Sequence, residues 1–161
     1  MSNFKIVDTY LRKILFVIFS IITLIGIIAP IWQSLFGYPN GEKIYSFLHN
    51  ICHQYPTRSL WIAKRPCALC SRCMAGYTGI AIASLFIWLP RKYFNRLLIG
   101  FILIIPGIAD GIIQLSTDYE SSNLLRIITG FVGGIGIFIL LYPLSFNFGN
   151  NVKGDSLKEK L

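Results

Sequence analysis

Charge is scarce in this chain: 14% of its 161 residues are Asp, Glu, Lys or Arg, only 7 are acidic, and 54% are hydrophobic. Soluble domains carry roughly 25% charged and 45 to 50% apolar residues, so the composition argues against an ordinary soluble domain and for a membrane protein. Cysteine and histidine are scarcer still, at 4 and 2 residues. Internal repeats and low-complexity tracts are lacking as well, and one domain is expected at this length. The 15 Lys and Arg give a net charge of +8, which can signal nucleic acid, an anionic membrane surface or membrane topology.

Four hydrophobic runs are what the chain has in place of charge. Residues 14–36 are uncharged over the length that crosses a hydrocarbon core of about 30 Å. That run is too long for a signal-peptide core, no small-residue cleavage site follows it, and a bend is expected at Pro30. The others are 74–90, 97–115 and 124–144, with Asp110 near the end of the third. The expected fold is all-α: a four-helix transmembrane bundle. Between the first two spans, Ile44, Phe47, Leu48, Ile51 and Tyr55 follow helical spacing and predict an additional amphipathic helix ended by Pro56. "TRSLWIAKRP" then reads as a connection within a Cys/His-rich loop, 37–73. Residues 1–13 form a lead-in, 14–146 a single membrane domain, and 147–161 a polar C-terminal tail.

Lys5, Arg12, Lys13, Arg91, Lys92, Arg96, Lys153, Lys158 and Lys160 fall on one side of these spans, and six basic residues spread over the longer loops of the other. The bias favours both termini in the cytoplasm of a multi-pass protein of the plasma membrane. Topology therefore accounts for most of the net charge, and nucleic acid is not an expected partner.

Both histidines and all four cysteines lie in "HNICHQYPTRSLWIAKRPCALCSRC", residues 49–73. Cys67, Cys70 and Cys73 are spaced C-x-x-C-x-x-C, and His49, Cys52 and His53 precede them across a loop. Two groups of soft ligands bracketing a loop suit a tetrahedral zinc site. The same cysteines also read as a redox dithiol that passes electrons to a membrane quinone, or as buried structural thiols. Arg58 and Arg72 flank the cluster and can grip headgroup or phosphate oxygens, whereas Lys64 and Arg65 read as snorkelling side chains.

A second constellation lies in the later spans. Asp110 and Gln114 share one helix face, as do Asn123, Arg126 and Gly130. Ionisable groups at membrane depth normally face a partner or a wet cavity, so Asp110 and Arg126 are expected to neutralise each other, with Gln114, Glu120 and Asn123 around them. These helix ends emerge on the side of the cysteine cluster. Gly130 and Gly134, in G-x-x-x-G spacing, and Gly76 and Gly79 permit close helix approach.

"CHQYPTRS", "CALCSRCMAGYTG", "ADGIIQL" and "SSNLLRIITG" together resemble a prokaryotic family of small integral membrane proteins, domain of unknown function 2085. Its pattern is C-H-Q-x-x-x-R-S, C-x-R-C-x-G-x-Y-x-G, D-G-x-x-Q and N-x-x-R-x-x-T-G. This chain departs from it in the second block, having "CSRCMAGYTG" where the family usually has a threonine and glycine directly after the second cysteine. The resemblance implies a core ligand quartet of Cys52, His53, Cys70 and Cys73, with His49 and Cys67 outside it. Zinc is the expected cofactor. The expected function is a metal site beside a polar cluster of Gln54, Arg58, Asp110, Gln114, Asn123 and Arg126, acting on a lipid or an amphipathic small molecule. The alternatives are a thiol–disulfide oxidoreductase coupled to quinone and an accessory membrane protein with a structural zinc.

Overall fold

Helical periodicity over the apolar runs, interrupted by the ligand-bearing segment, organises the computed structural model. It describes the backbone of residues 2–37, 42–86 and 93–158 and the side chains of 8–37, 42–86, 95 and 97–142. In chain order these form α1 (Ser2–Phe36), α2 (Glu42–His49), a 3₁₀ turn (Pro56–Arg58), β1 (Ser59–Ile62), β2 (Arg65–Cys70), α3 (Ser71–Phe86), α4 (Tyr93–Ser116) and α5 (Asn123–Lys158).

Three of these helices are long and apolar enough to cross a membrane, over Asp8–Phe36, Leu97–Ser116 and Asn123–Tyr142. Large apolar side chains on their outer faces, such as Leu24, Ile28, Phe101 and Ile105, are exposed, as lipid contact requires. Among the described residues, the expected second span is represented by α3, Ser71–Phe86. The 16 residues of α3 rise about 24 Å at roughly 1.5 Å per residue, less than the core of about 30 Å. Its expected end at 87–90 lies outside the described residues, as do Arg91 and Lys92, residues 38–41 and 159–161. α1 runs through the buried Pro30 as one helix, and α5 continues to Lys158, into the segment expected to be a polar tail.

Two other expectations are corrected. The amphipathic helix stops at His49, and its stripe is only partly covered: Leu48 is buried, Ile44 half-buried, and Phe47, Ile51 and Tyr55 exposed. The connection after Pro56 is an antiparallel hairpin in which Ile62 pairs with Arg65, Trp61 with Pro66 and Ser59 with Cys70. Ala63 and Lys64 make its two-residue turn, both at positive φ (51° and 61°). That turn type normally announces itself by Asn-Gly or Asp-Gly, and Pro66 speaks against a strand except at an edge. In a two-stranded sheet both strands are edges.

Packing follows the small residues. Leu69 of β2 sits against Gly26 of α1, where a Cβ would come within 2.6 Å of its Cδ1, and a core of Ala29, Leu48, Ala68, Leu69 and Met74 fills the space around it. α3 lies directly on α5. A Cβ on Gly134 would strike the Gly76 carbonyl, one on Gly79 the Phe131 carbonyl, and one on Gly130 the Arg72 carbonyl. The glycine spacing read from the sequence is therefore where the backbones touch. At the opposite end of α3 a second core of Ala83, Phe138, Ile139 and Tyr142 closes the bundle. There Arg12 of α1 reaches the Ser84 carbonyl (3.3 Å) and the Tyr142 hydroxyl (3.3 Å) and lies over the Tyr142 ring.

These contacts separate neighbouring glycines. Gly134→Ala should destabilise the detergent-solubilised protein by about 1 to 3 kcal/mol, the cost of overpacking a tight contact, while Gly133→Ala, whose Cβ meets nothing within 4 Å, should leave the melting temperature unchanged. Equal effects of the two substitutions in thermal unfolding would contradict this packing.

Candidate metal centre

Residues 50–54 carry the chain away from α2. The Leu48 carbonyl accepts hydrogen bonds from the amides of both Ile51 and Cys52 (each 3.1 Å), so a last helical turn holds Cys52 beneath the helix end. Gln54 then takes a left-handed backbone conformation (φ 55°), which costs a non-glycine residue about 1 to 2 kcal/mol. Its side-chain Nε2 donates to the Tyr45 carbonyl (2.7 Å), and the Tyr45 hydroxyl donates to the Pro66 carbonyl (2.7 Å). This double tie fixes the Cys52 turn against β2.

β2 and the start of α3 bring up the other two sulfurs. It ends at Cys70, α3 starts at Ser71, and Cys73 follows in the first helical turn. The sulfurs of Cys52, Cys70 and Cys73 all lie within 4.8 Å of one another. The Cys70 amide donates to Cys52 Sγ (3.2 Å) and the Cys73 amide to Cys70 Sγ (3.5 Å). Hydrogen bonds from Cys70 first and then Cys73, with help from the Cys70 and Gln54 amides, hold the Cys52 thiol far below the usual thiol range. The Cys70 thiol is pushed up, chiefly by its hydrogen bond to Cys52.

This donor set fits a thiophilic cation. A tetrahedral zinc with Zn–S near 2.3 Å needs sulfurs roughly 3.8 Å apart, within the spread of these three. The fourth cysteine does not join them: Cys67 is 1% exposed, and burial pushes its thiol up. His53 and His49 are exposed and stand outside the sulfur group. They line a cavity of about 320 Å³ in front of it, together with Gln54 and Arg58.

The polar residues of the later helices meet the centre through Arg72. Its guanidinium forms an ion pair with Asp110 of α4, so the expected Asp110–Arg126 pairing is replaced: Arg126 reaches Asp110 only through Gln114. The Gln114 Nε2 donates to Asp110 Oδ2 (2.9 Å) and Ser121 Oγ (2.7 Å), while its Oε1 accepts from Arg126 (3.4 Å). Arg126 also bonds Asn123 Oδ1 (3.3 Å), and Asn123 Nδ2 donates to the Ser59 carbonyl (3.5 Å) on the hairpin. Arg58 pairs with Glu120 at 3.9 Å and stacks on Tyr55. Asp110 and Arg126 are 7% and 3% exposed, a depth at which isolated charges are costly. The sequence suggested the cluster but not its hinge. Arg72 lies between two cysteines, the one signal that it belongs to both constellations. Ser122 caps α5, accepting from the Leu125 amide (3.3 Å).

A family model described as "Predicted membrane protein (DUF2085)" matches residues 52–140. The chain belongs to that family. The matched region begins at Cys52, the first of the three clustered cysteines, and includes the whole Arg72–Asp110–Gln114–Arg126 network, while His49 falls outside it. An uncharacterised protein of Methanocaldococcus jannaschii is 33% identical over 112 residues, 64% of this chain and 69% of the relative. One of Methanothermobacter thermautotrophicus is 38% identical over 92 residues, 56% of this chain and 83% of the relative. No solved structure matches the chain.

Breaking the ion pair from one side should be worse than removing it. Arg72→Leu should cost about 3 kcal/mol, the lower end for orphaning a buried partner because Arg72 is 30% exposed, and adding Asp110→Asn should recover part of that loss. A double-mutant cycle by thermal unfolding checks this; simple additivity of the two substitutions would contradict the pairing.

Proposed function

We propose that this protein is a membrane-embedded zinc protein acting on a lipid or another amphipathic small molecule, with Cys52, Cys70 and Cys73 as ligands and the fourth position turned to the cavity lined by His53, Gln54 and Arg58. The observation that carries this reading is the convergence of three sulfurs from two chain segments within 4.8 Å of one another. Three protein ligands with one open position is the pattern of catalytic zinc sites, and four that of structural ones. Bound zinc supplies a Lewis acid that polarises a carbonyl or phosphoryl oxygen.

The chain's own residues do the positioning. Arg58 lines the cavity, and its long contact with the exposed Glu120 (3.9 Å) leaves guanidinium donors for an anionic head. Asp110 is committed to Arg72 and Gln114, so it acts as a positioning group that orients Arg72 rather than as a free base. In this reading α3 belongs to the fourth span of a four-helix bundle. The charge bias keeps both termini in the cytoplasm and the thiol centre outside.

Elemental analysis of the purified, detergent-solubilised chain should give one zinc per molecule. Cys52→Ser, Cys70→Ser or Cys73→Ser should each lower zinc affinity severely, while Cys67→Ser and His53→Ala retain it. Zinc lost with His53→Ala would instead favour a closed Cys3His site, the structural reading. A metal-free protein with a disulfide among the three cysteines would sink the proposal in favour of thiol–disulfide exchange coupled to quinone.

A further inference from the structure

α3 and α4 both pack on α5, and between them a groove of about 300 Å³ runs over the α5 surface. Gly133, Gly134 and Ile137 form its floor, with Gly76 and Ile80 on one wall and Gly107 on the other. Ile108 and Ile137, 54% and 39% exposed, mark where the groove opens sideways, Ile108 as its lip and Ile137 at the edge of its floor. The closed end is polar, because Arg72 and Cys73 line it and the Arg72–Asp110 pair bridges α3 to α4 there. Cys73 lines both this groove and the cavity in front of the sulfurs.

Helix packing explains Gly130 and Gly134, where a Cβ would strike α3, but not Gly133, where a Cβ would meet nothing within 4 Å. The missing side chain at Gly133 leaves open the space that is the groove. At its polar end the ion pair leaves the buried Nε–H of Arg72 without an acceptor among the described residues, and a guanidinium can only donate.

We infer that the groove binds one single-chain amphiphile from the bilayer, its hydrocarbon tail laid along Gly133 and its oxygen-bearing head at Arg72 and Cys73. The volume falls at the low end of small-molecule sites, roughly 300 to 1,000 Å³, and suits one chain rather than two. The inference rests on the proposed zinc centre in treating Cys73 as a ligand, and it names the substrate class of that centre. Cys73 is shared with the cavity of His53 and Arg58 on which the fourth position opens, so the head reaches the metal from the membrane past Cys73.

The test uses the full zinc-loaded chain in phosphatidylcholine nanodiscs with a photoactivatable palmitate. Labelling should saturate and map to residues 104–108 and 129–137. Gly133→Leu should reduce it about tenfold, the scale of a filled apolar pocket, with zinc content unchanged; Ile108→Trp at the lip should act in the same direction. A probe with the same chain and a quaternary ammonium head, which offers no acceptor, should label less. Labelling that does not saturate, that ignores Gly133→Leu, or that is equal for the cationic probe overturns the inference. So does a dimer that Gly133→Leu dissociates, since a second copy would then fill the groove. Saturable labelling of a protein that binds no zinc keeps the groove and removes the metal reading, whereas a zinc-bound protein without labelling does the reverse.

Discussion

Arg72 occupies the one position that every other feature of the site depends on. Its backbone carbonyl lies where a Cβ on Gly130 would be, so α5 can approach the start of α3 only because residue 130 is glycine. Its neighbours Cys70 and Cys73 supply two of the three sulfurs, and its side chain holds Asp110. A residue inside the C-x-R-C motif thus joins the thiol centre, the α3–α5 contact and the buried polar chain that runs through Gln114 to Arg126. Shifting it would move the sulfurs relative to the hairpin and leave Asp110 charged and unpaired in a low-dielectric setting.

Membrane burial explains why so few polar residues are arranged so tightly. With lipid outside, apolar contact gives helices little reason to associate, so close packing through glycine and interhelical hydrogen bonds takes over. The glycines of α3 and α5 provide the first, and the Asp110–Gln114–Arg126 chain the second. The charged groups satisfy one another rather than water. The same economy shapes the ligand segment, where a strained Gln54 and the Tyr45 tie to Pro66 hold a short turn in place without a large core.

The long apolar runs were legible because length and the absence of charge suffice to mark a spanning helix, and the G-x-x-x-G spacing marked the contact of α3 with α5. The clustering of Cys52, Cys70 and Cys73 was also legible, through spacing and resemblance. His53 was not separable from them by sequence, since adjacency to Cys52 does not say which way a side chain turns once the helix has ended at His49. The hairpin was hidden because Ala63-Lys64 lacks the residues that favour positive φ and because Pro66 resembles a breaker. Asp110 was assigned the wrong partner for a similar reason: helix-face arithmetic relates residues within α4 and α5, but only the fold brings the start of α3 between them.

The central claim is a centre of three sulfurs with a fourth position left to something lighter. X-ray absorption at the zinc edge, on the full chain in lipid, tests it most directly. The account predicts three sulfur scatterers near 2.3 Å and one nitrogen or oxygen near 2.0 Å. Four sulfurs, which would require Cys67 to leave its buried position on β2, would contradict it.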